Sequence, residues 1–153
     1  MKLRVIWTGK TRNPPLSALS DDYVARIRRF LPLDVSEVKE TRTSDDRKRI
    51  AGESERILGR IEATDYVVGL DDCGQERTSE ELAQLIECQM GEGQRDLVFV
   101  VGGPAGLSDA LKRRCDLRLS LSRLTFSHDL ARAVVLEQIY RALTIIRNLP
   151  YAR

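Results

Sequence analysis

Three stretches of the chain hold residues suited to chemistry. Gly102-Gly103-Pro104-Ala105-Gly106 (GGPAG) lies between an apolar run and a helical segment, where glycines let a backbone approach a ligand with no Cβ in the way. Its spacing matches neither the phosphate-cradling GxxxxGK[ST] loop nor GxGxxG. It therefore reads either as a tight strand-to-helix turn or as one wall of a nucleotide-type pocket. Asp71 and Asp72, in Asp71-Asp72-Cys73-Gly74, could ligate magnesium, accept a proton or stand as solvated turn acids, and no third acid is usefully spaced. His128, the single histidine, precedes Asp129 and is either a proton shuttle or a neighbour of a helix cap. Cys73, Cys88 and Cys115 stand 15 and 27 residues apart, which fits neither a zinc half-site nor a disulfide framework. They read as plain thiols in a reducing compartment.

The elements that must position these residues follow from periodicity. Leu3–Trp7 is strand-like and is closed by Gly9, with a loop through Asn13-Pro14-Pro15. From Ser20 the positions Tyr23, Val24, Ile27, Phe30 and Leu31 repeat at helical spacing, with Asp21 and Asp22 in the first turn and Pro32 as the stop. Residues 34–40 form a weak strand, followed by a charged helix with Ile50, Ile57, Leu58 and Ile61 on one stripe and its other face solvated. Residues 65–70 (DYVVGL) read as a buried strand ending in the acidic turn at Asp71. Thr78 and Glu81 then make a capping box for a helix closed by Gly91. Leu97–Val101 is apolar throughout and reads as a central parallel strand; Ser108 caps a short helix. Leu117, Leu119 and Leu121 alternate as a half-buried strand does, and residues 122–128 form a loop. A last helix starts near Asp129, runs to about Arg147 and is closed by Pro150. It is apolar around most of its circumference, so it is either the central core helix or a helix buried between two subunits.

Strands alternating with helices predict an α/β fold with a largely parallel sheet, whose ligands bind outside the carboxyl ends of the strands. Three loops qualify: 70–74, 102–106 and 122–128. At 153 residues the chain fits one domain, 1–153, and 42% hydrophobic with 31% charged residues excludes a disordered chain. No run approaches a membrane span and the start lacks a signal-peptide core, so a cytoplasmic protein is expected. A net charge of +2 excludes a purely electrostatic nucleic-acid binder. That total hides a segmentation: residues 1–64 hold 14 basic and 10 acidic side chains, residues 65–111 hold 2 and 10, and residues 112–153 hold 9 and 3. The basic last segment suits a phosphate-backbone track, pairing with the acidic middle segment, or both.

Four ordered blocks, LVFVVGGPAGLS (97–108), LSLSRLTFSHDLAR (119–132), EQIYRA (137–142) and NLPYAR (148–153), together resemble the RlmH family. These are SPOUT-class bacterial methyltransferases that methylate N3 of a pseudouridine in 23S ribosomal RNA, and the likeness covers essentially the whole chain. The resemblance implies an α/β SPOUT fold with a C-terminal deep trefoil knot, a homodimer, S-adenosylmethionine as cofactor, no metal, and the assembled 70S ribosome as substrate. It places cofactor contacts on Leu70, Gly103, Ser122, Arg123, Leu124, Thr125, Phe126 and Ser127. Tyr151 and Arg153 of the C-terminal tail are assigned to the RNA side, with His128 as further polar help. Two departures stand out: Ala152 replaces the family's tail histidine, and Ala105 replaces an acid common in that loop. The absent histidine keeps two alternatives open, a SPOUT enzyme with another RNA target (a transfer RNA base or ribose) and a catalytically silent ribosome-binding dimer.

Overall fold

The computed structural model describes residues 1–93 and 95–151. Five strands and five helices alternate: β1 (Leu3–Thr8), α1 (Pro14–Ile27), β2 (Leu33–Val38), α2 (Asp46–Leu58), β3 (Tyr66–Glu76), α3 (Ser79–Glu92), β4 (Leu97–Val101), α4 (Asp109–Arg114), β5 (Leu117–Ser120) and α5 (His128–Ile146). The strands form one parallel sheet in the order β2-β1-β4-β3-β5, with Leu3 opposite Leu33 and Leu97 and with Tyr66 also opposite Leu97. β4 is central and buried at every position, as its unbroken apolar run predicts.

Side-chain alternation sorts the core into two layers. Val5, Trp7, Phe99 and Val101 face α1, α3 and α5, while Ile6, Val98 and Val100 face Ile57 of α2 and Leu111 of α4. α5 lies against both α1 and α3. Flanked on two sides and covering the sheet with a third, it needs apolar residues around most of its girth. Its Leu130 and Ile145 remain exposed.

Several boundaries differ from the sequence reading, each for a local reason. α1 begins at Pro14, not near Ser20: Asn13 caps it by accepting from Leu16 N, and the prolines fill first-turn positions whose N–H groups would be unpaired anyway. Asp21 and Asp22 are thus mid-helical, and the helix ends at Ile27, before Pro32. α2 ends at Leu58, leaving Ile61 outside it. β3 continues through the acidic stretch to Glu76, because a register shift between Leu70 and Gln75 accommodates the extra residues against β5. α3 has the predicted capping box, but it is closed by Gly93 in the left-handed region, not by Gly91. α5 starts at His128 with Ser127 as its cap, and Asn148, at φ 52°, rather than Pro150, turns the chain at its end.

Candidate active site

The loops after β3, β4 and β5 wall one cavity of about 360 Å³ at the carboxyl edge of the sheet. Leu70, Gly102, Gly103, Pro104, Ala105, Gly106, Leu119, Leu121, Ser122, Leu124, Thr125, Phe126 and His128 line it, with Asp71, Asp72 and Lys112 as its other charged neighbours. Of the sequence-assigned cofactor residues, the structure brings Leu70, Gly103, Ser122, Leu124, Thr125 and Phe126 together here. Arg123 turns outward, 90% exposed, and pairs with Glu76 at 3.0 Å. Ser127 is spent on capping α5 through Leu130 N.

Local chemistry shapes each wall. In the GGPAG loop Gly106 N donates to Gly103 O at 3.0 Å, and Gly106 takes φ 88°, a region open to glycine at no steric cost. A Cβ on Gly102 would stand 2.7 Å from the Leu107 side chain, and one on Gly103 would stand 2.9 Å from Glu53 Oε2. Both glycines are therefore held by what packs behind them. In the third loop Ser122 Oγ accepts from Leu124 N at 3.0 Å and Ser122 O accepts from Ser120 Oγ at 2.9 Å, fixing the turn that presents Leu124. Leu124 is 74% exposed, an apolar side chain left beside the cavity.

The charged groups divide by role. Asp71 Oδ1 accepts from Cys73 N at 3.0 Å and its Oδ2 lies 3.5 Å from Arg118, so this carboxylate is occupied by its own loop and β5. Asp71, Asp72 and Cys73 bring ligand atoms within 4.8 Å of one another, and Asp72 and Cys73 are exposed. His128 Nε2 lies 3.4 Å from Asp129 Oδ1. Burial pushes the Cys115 thiol up, away from reactivity at neutral pH.

Tyr151 is elsewhere. Its hydroxyl lies 3.0 Å from that of Tyr23, its ring meets Tyr140 edge-on at 4.7 Å, and the Arg141 guanidinium covers it at 5.0 Å. Burial and the Tyr23 hydroxyl push its phenol well above the ordinary value, so it stays protonated at neutral pH. Tyr140 follows His128 by twelve residues of α5, about 18 Å of helix rise, so the tail leaves far from this chain's own cavity. Ala152 and Arg153 lie outside the described residues.

Two buried groups behind the site carried no sequence signal. Glu53, inside a charged amphipathic helix, is only 4% exposed: Oε1 accepts from Thr41 N and Oε2 is buried without a hydrogen-bond partner, so burial raises its pKa. Arg132, 0% exposed, donates to the Thr8 carbonyl and to Thr11 Oγ1 and stacks over Trp7 at 4.9 Å. An arginine at helical spacing among apolar residues looks the same in a sequence whether it is buried or at the rim.

The fold of this chain, a parallel sheet with helices on both faces, is shared with solved proteins described as methyltransferases or methylases. A probable methyltransferase from Bordetella pertussis superposes with a TM-score of 0.59 at 17% identity, over 93% of this chain and 96% of that one. A probable methylase family protein from Haemophilus influenzae gives 0.55 at 13%, over 99% and 70%. A Legionella pneumophila protein solved with bound SAM gives 0.50 at 11%, over 91% and 65%. The chain belongs to the SPOUT methyltransferase family, whose profile matches residues 1–152, and within it to the RlmH group. Proteins called ribosomal RNA large subunit methyltransferase H from Trichlorobacter lovleyi and Geobacter sulfurreducens are each 40% identical to it over 99% of both chains.

Proposed function

We propose that this chain is an S-adenosylmethionine-dependent methyltransferase of large-subunit ribosomal RNA, acting on N3 of a pseudouridine in the assembled 70S ribosome. The carrying observation is the cavity itself, because its size falls within the roughly 300–1,000 Å³ of small-ligand clefts and its walls suit this cofactor. Backbone of the GGPAG loop can meet adenine's hydrogen-bonding edge, while Leu70, Leu124 and Phe126 offer apolar walls. The names of the full-length relatives support the substrate class.

S-adenosylmethionine, when bound, supplies a methyl group already activated for transfer. The chain's residues then have three tasks: to hold that group, to exclude water, and to set N3 in line with it. Leu70, Gly103, Ser122, Leu124, Thr125 and Phe126 serve the first two. The N3–H is a weak acid, so its proton must leave and the resulting charge must be offset. His128, at the cavity wall beside Asp129, is a titratable group placed for polar help, and Arg153 is the cation assigned to the RNA side. Tyr151, protonated and anchored on Tyr23 and Tyr140, acts by fixing where the tail departs.

The distance between Tyr151 and the chain's own cavity supports a homodimer in which each tail completes the partner's site. Exposed Leu19, Ile145 and Leu149, on α1 and near the end of α5, offer apolar surface for that contact. The reading also comprises one domain over residues 1–153, with the loops around the cavity threaded as the family's deep trefoil knot. No described helix is long and apolar enough to cross a membrane. A ribosomal substrate supports reading the protein as cytoplasmic.

The test is methyl transfer from labelled S-adenosylmethionine to 70S particles from cells lacking this modification. The label is expected in the pseudouridine-containing fragment of 23S RNA. Label in small RNAs instead identifies another SPOUT target. Ribosome binding with no label anywhere identifies a catalytically silent ribosome binder, the alternative that Ala152 keeps open.

A further inference from the structure

We propose that the β1–α1 loop, residues 9–13, is a second RNA-contacting surface beside the cavity, with Lys10 and Arg12 binding backbone phosphates of the substrate. This rests on the RNA-methyltransferase reading above.

The loop is tied to the cavity at both ends. Thr8, at its start, lies behind Gly103, 3.7 Å from where a Cβ there would stand. At its other end the backbone N–H groups of Arg12 and Asn13 both donate to Asp129 Oδ2 at 3.0 Å, one residue from His128 in the cavity wall. Arg132, one turn further along α5, holds the Thr8 carbonyl and Thr11 Oγ1. Gly9, at φ 73°, has no room for a side chain against Glu40.

This is a costly way to hold a surface loop. Arg132 is a fully buried cation whose Nε has no partner and whose nearest anion, Asp129 Oδ1, lies 3.7 Å away. Buried ions of this kind contribute little stability relative to apolar residues, and fixing a defined geometry is a use that suits them. What they fix is a rigid segment carrying two outward cations. Arg12 is 76% exposed in its side chain and meets Glu40 at 3.0 Å, an exposed pair of the weak kind that a phosphate can replace. Lys10 is exposed, with no carboxylate within 4.0 Å among the described residues. Cations held in register beside a reaction site suit positioning of a nucleic-acid backbone, which carries no sequence information but sets orientation.

The test uses the full chain and a Lys10→Ala/Arg12→Ala variant, both positions being exposed. Ribosome affinity is measured by filter retention across a salt series, with S-adenosylmethionine affinity by calorimetry. The variant is expected to bind ribosomes about tenfold more weakly at 0.1 M salt. Its log–log salt slope should be shallower by about 1.4–1.8, roughly 0.7–0.9 per lost phosphate contact, with cofactor affinity unchanged. Glu40→Gln, which frees Arg12, should shift ribosome affinity the other way. Equal affinity and equal slope for the double variant and the wild type would overturn the proposal. Because binding is read directly, a wild-type chain that binds ribosomes but transfers no methyl group refutes the proposed activity and leaves the loop's role to be judged on the slopes.

Discussion

At the scale of single residues, the back of the GGPAG loop is where chemistry and folding meet. Glu53 holds its proton more tightly than an ordinary glutamate, whose value is 4.5. The folded state therefore binds that proton better than the unfolded chain does, a contribution fully present below the ordinary value and lost as pH rises through the raised one. Glu53→Gln should accordingly stabilise the protein at pH 8, by about 1 kcal/mol for relieving a buried unpaired charge, with the gain vanishing below pH of about 4.5. Thermal melts of both proteins across that range check it. Gly103→Ala drives a Cβ against Glu53 Oε2 and pushes the loop toward the cavity. S-adenosylmethionine affinity should fall about tenfold, or about 1.4 kcal/mol. Adding Glu53→Ala should restore most of it, because the obstacle is gone. Calorimetry on the two single variants and the double closes that cycle.

At the scale of elements, the boundaries show what a sequence holds and what it conceals. The Thr78/Glu81 capping box was legible because its side chains act on backbone three residues away, and both of its bonds are present. Thr78→Ala should cost about 1 kcal/mol and lower the melting temperature without changing cofactor affinity. Leu97–Val101 was equally legible, since only a strand covered on both faces is apolar without interruption. The Pro14-Pro15 start of α1 was not, because prolines signal a turn as strongly as a first helical turn and Asn13 alone decides between them. Nor was the continuation of β3 past Asp71, which depends on β5 accepting a register shift. The same limit governed the site. Glycines and loop positions in the cavity wall could be read from pattern and resemblance, whereas the roles of Glu53 and Arg132 depend on neighbours distant in the chain, Gly103 for the first and Thr8 and Thr11 for the second.

At the scale of the whole molecule, the roughly 18 Å of α5 between His128 at the cavity wall and Tyr140 under the tail is the dominant fact. If each tail serves a partner's cavity, a chain ending at Pro150 and a chain carrying Gly103→Ala should each turn over poorly as homodimers. Mixed together, they should recover activity, since a heterodimer has one intact cavity facing one intact tail. Equilibrium sedimentation at micromolar concentration should find the dimer, and a failure of the mixture to recover would assign the tail to its own subunit. The strand order has a temporal consequence as well. β1 and β3 share no edge and are joined only through β4. During synthesis at about 5–20 residues per second, β1 therefore waits roughly 5–20 s, and β3 roughly 1–5 s, for the strand that joins them in one sheet. α5, which covers that sheet, is made only after β4 and β5. A nascent chain stalled before Leu97 is a β1–β2 pair and an unpaired β3 with open edges, a substrate for chaperones and proteases and not a shorter version of the enzyme.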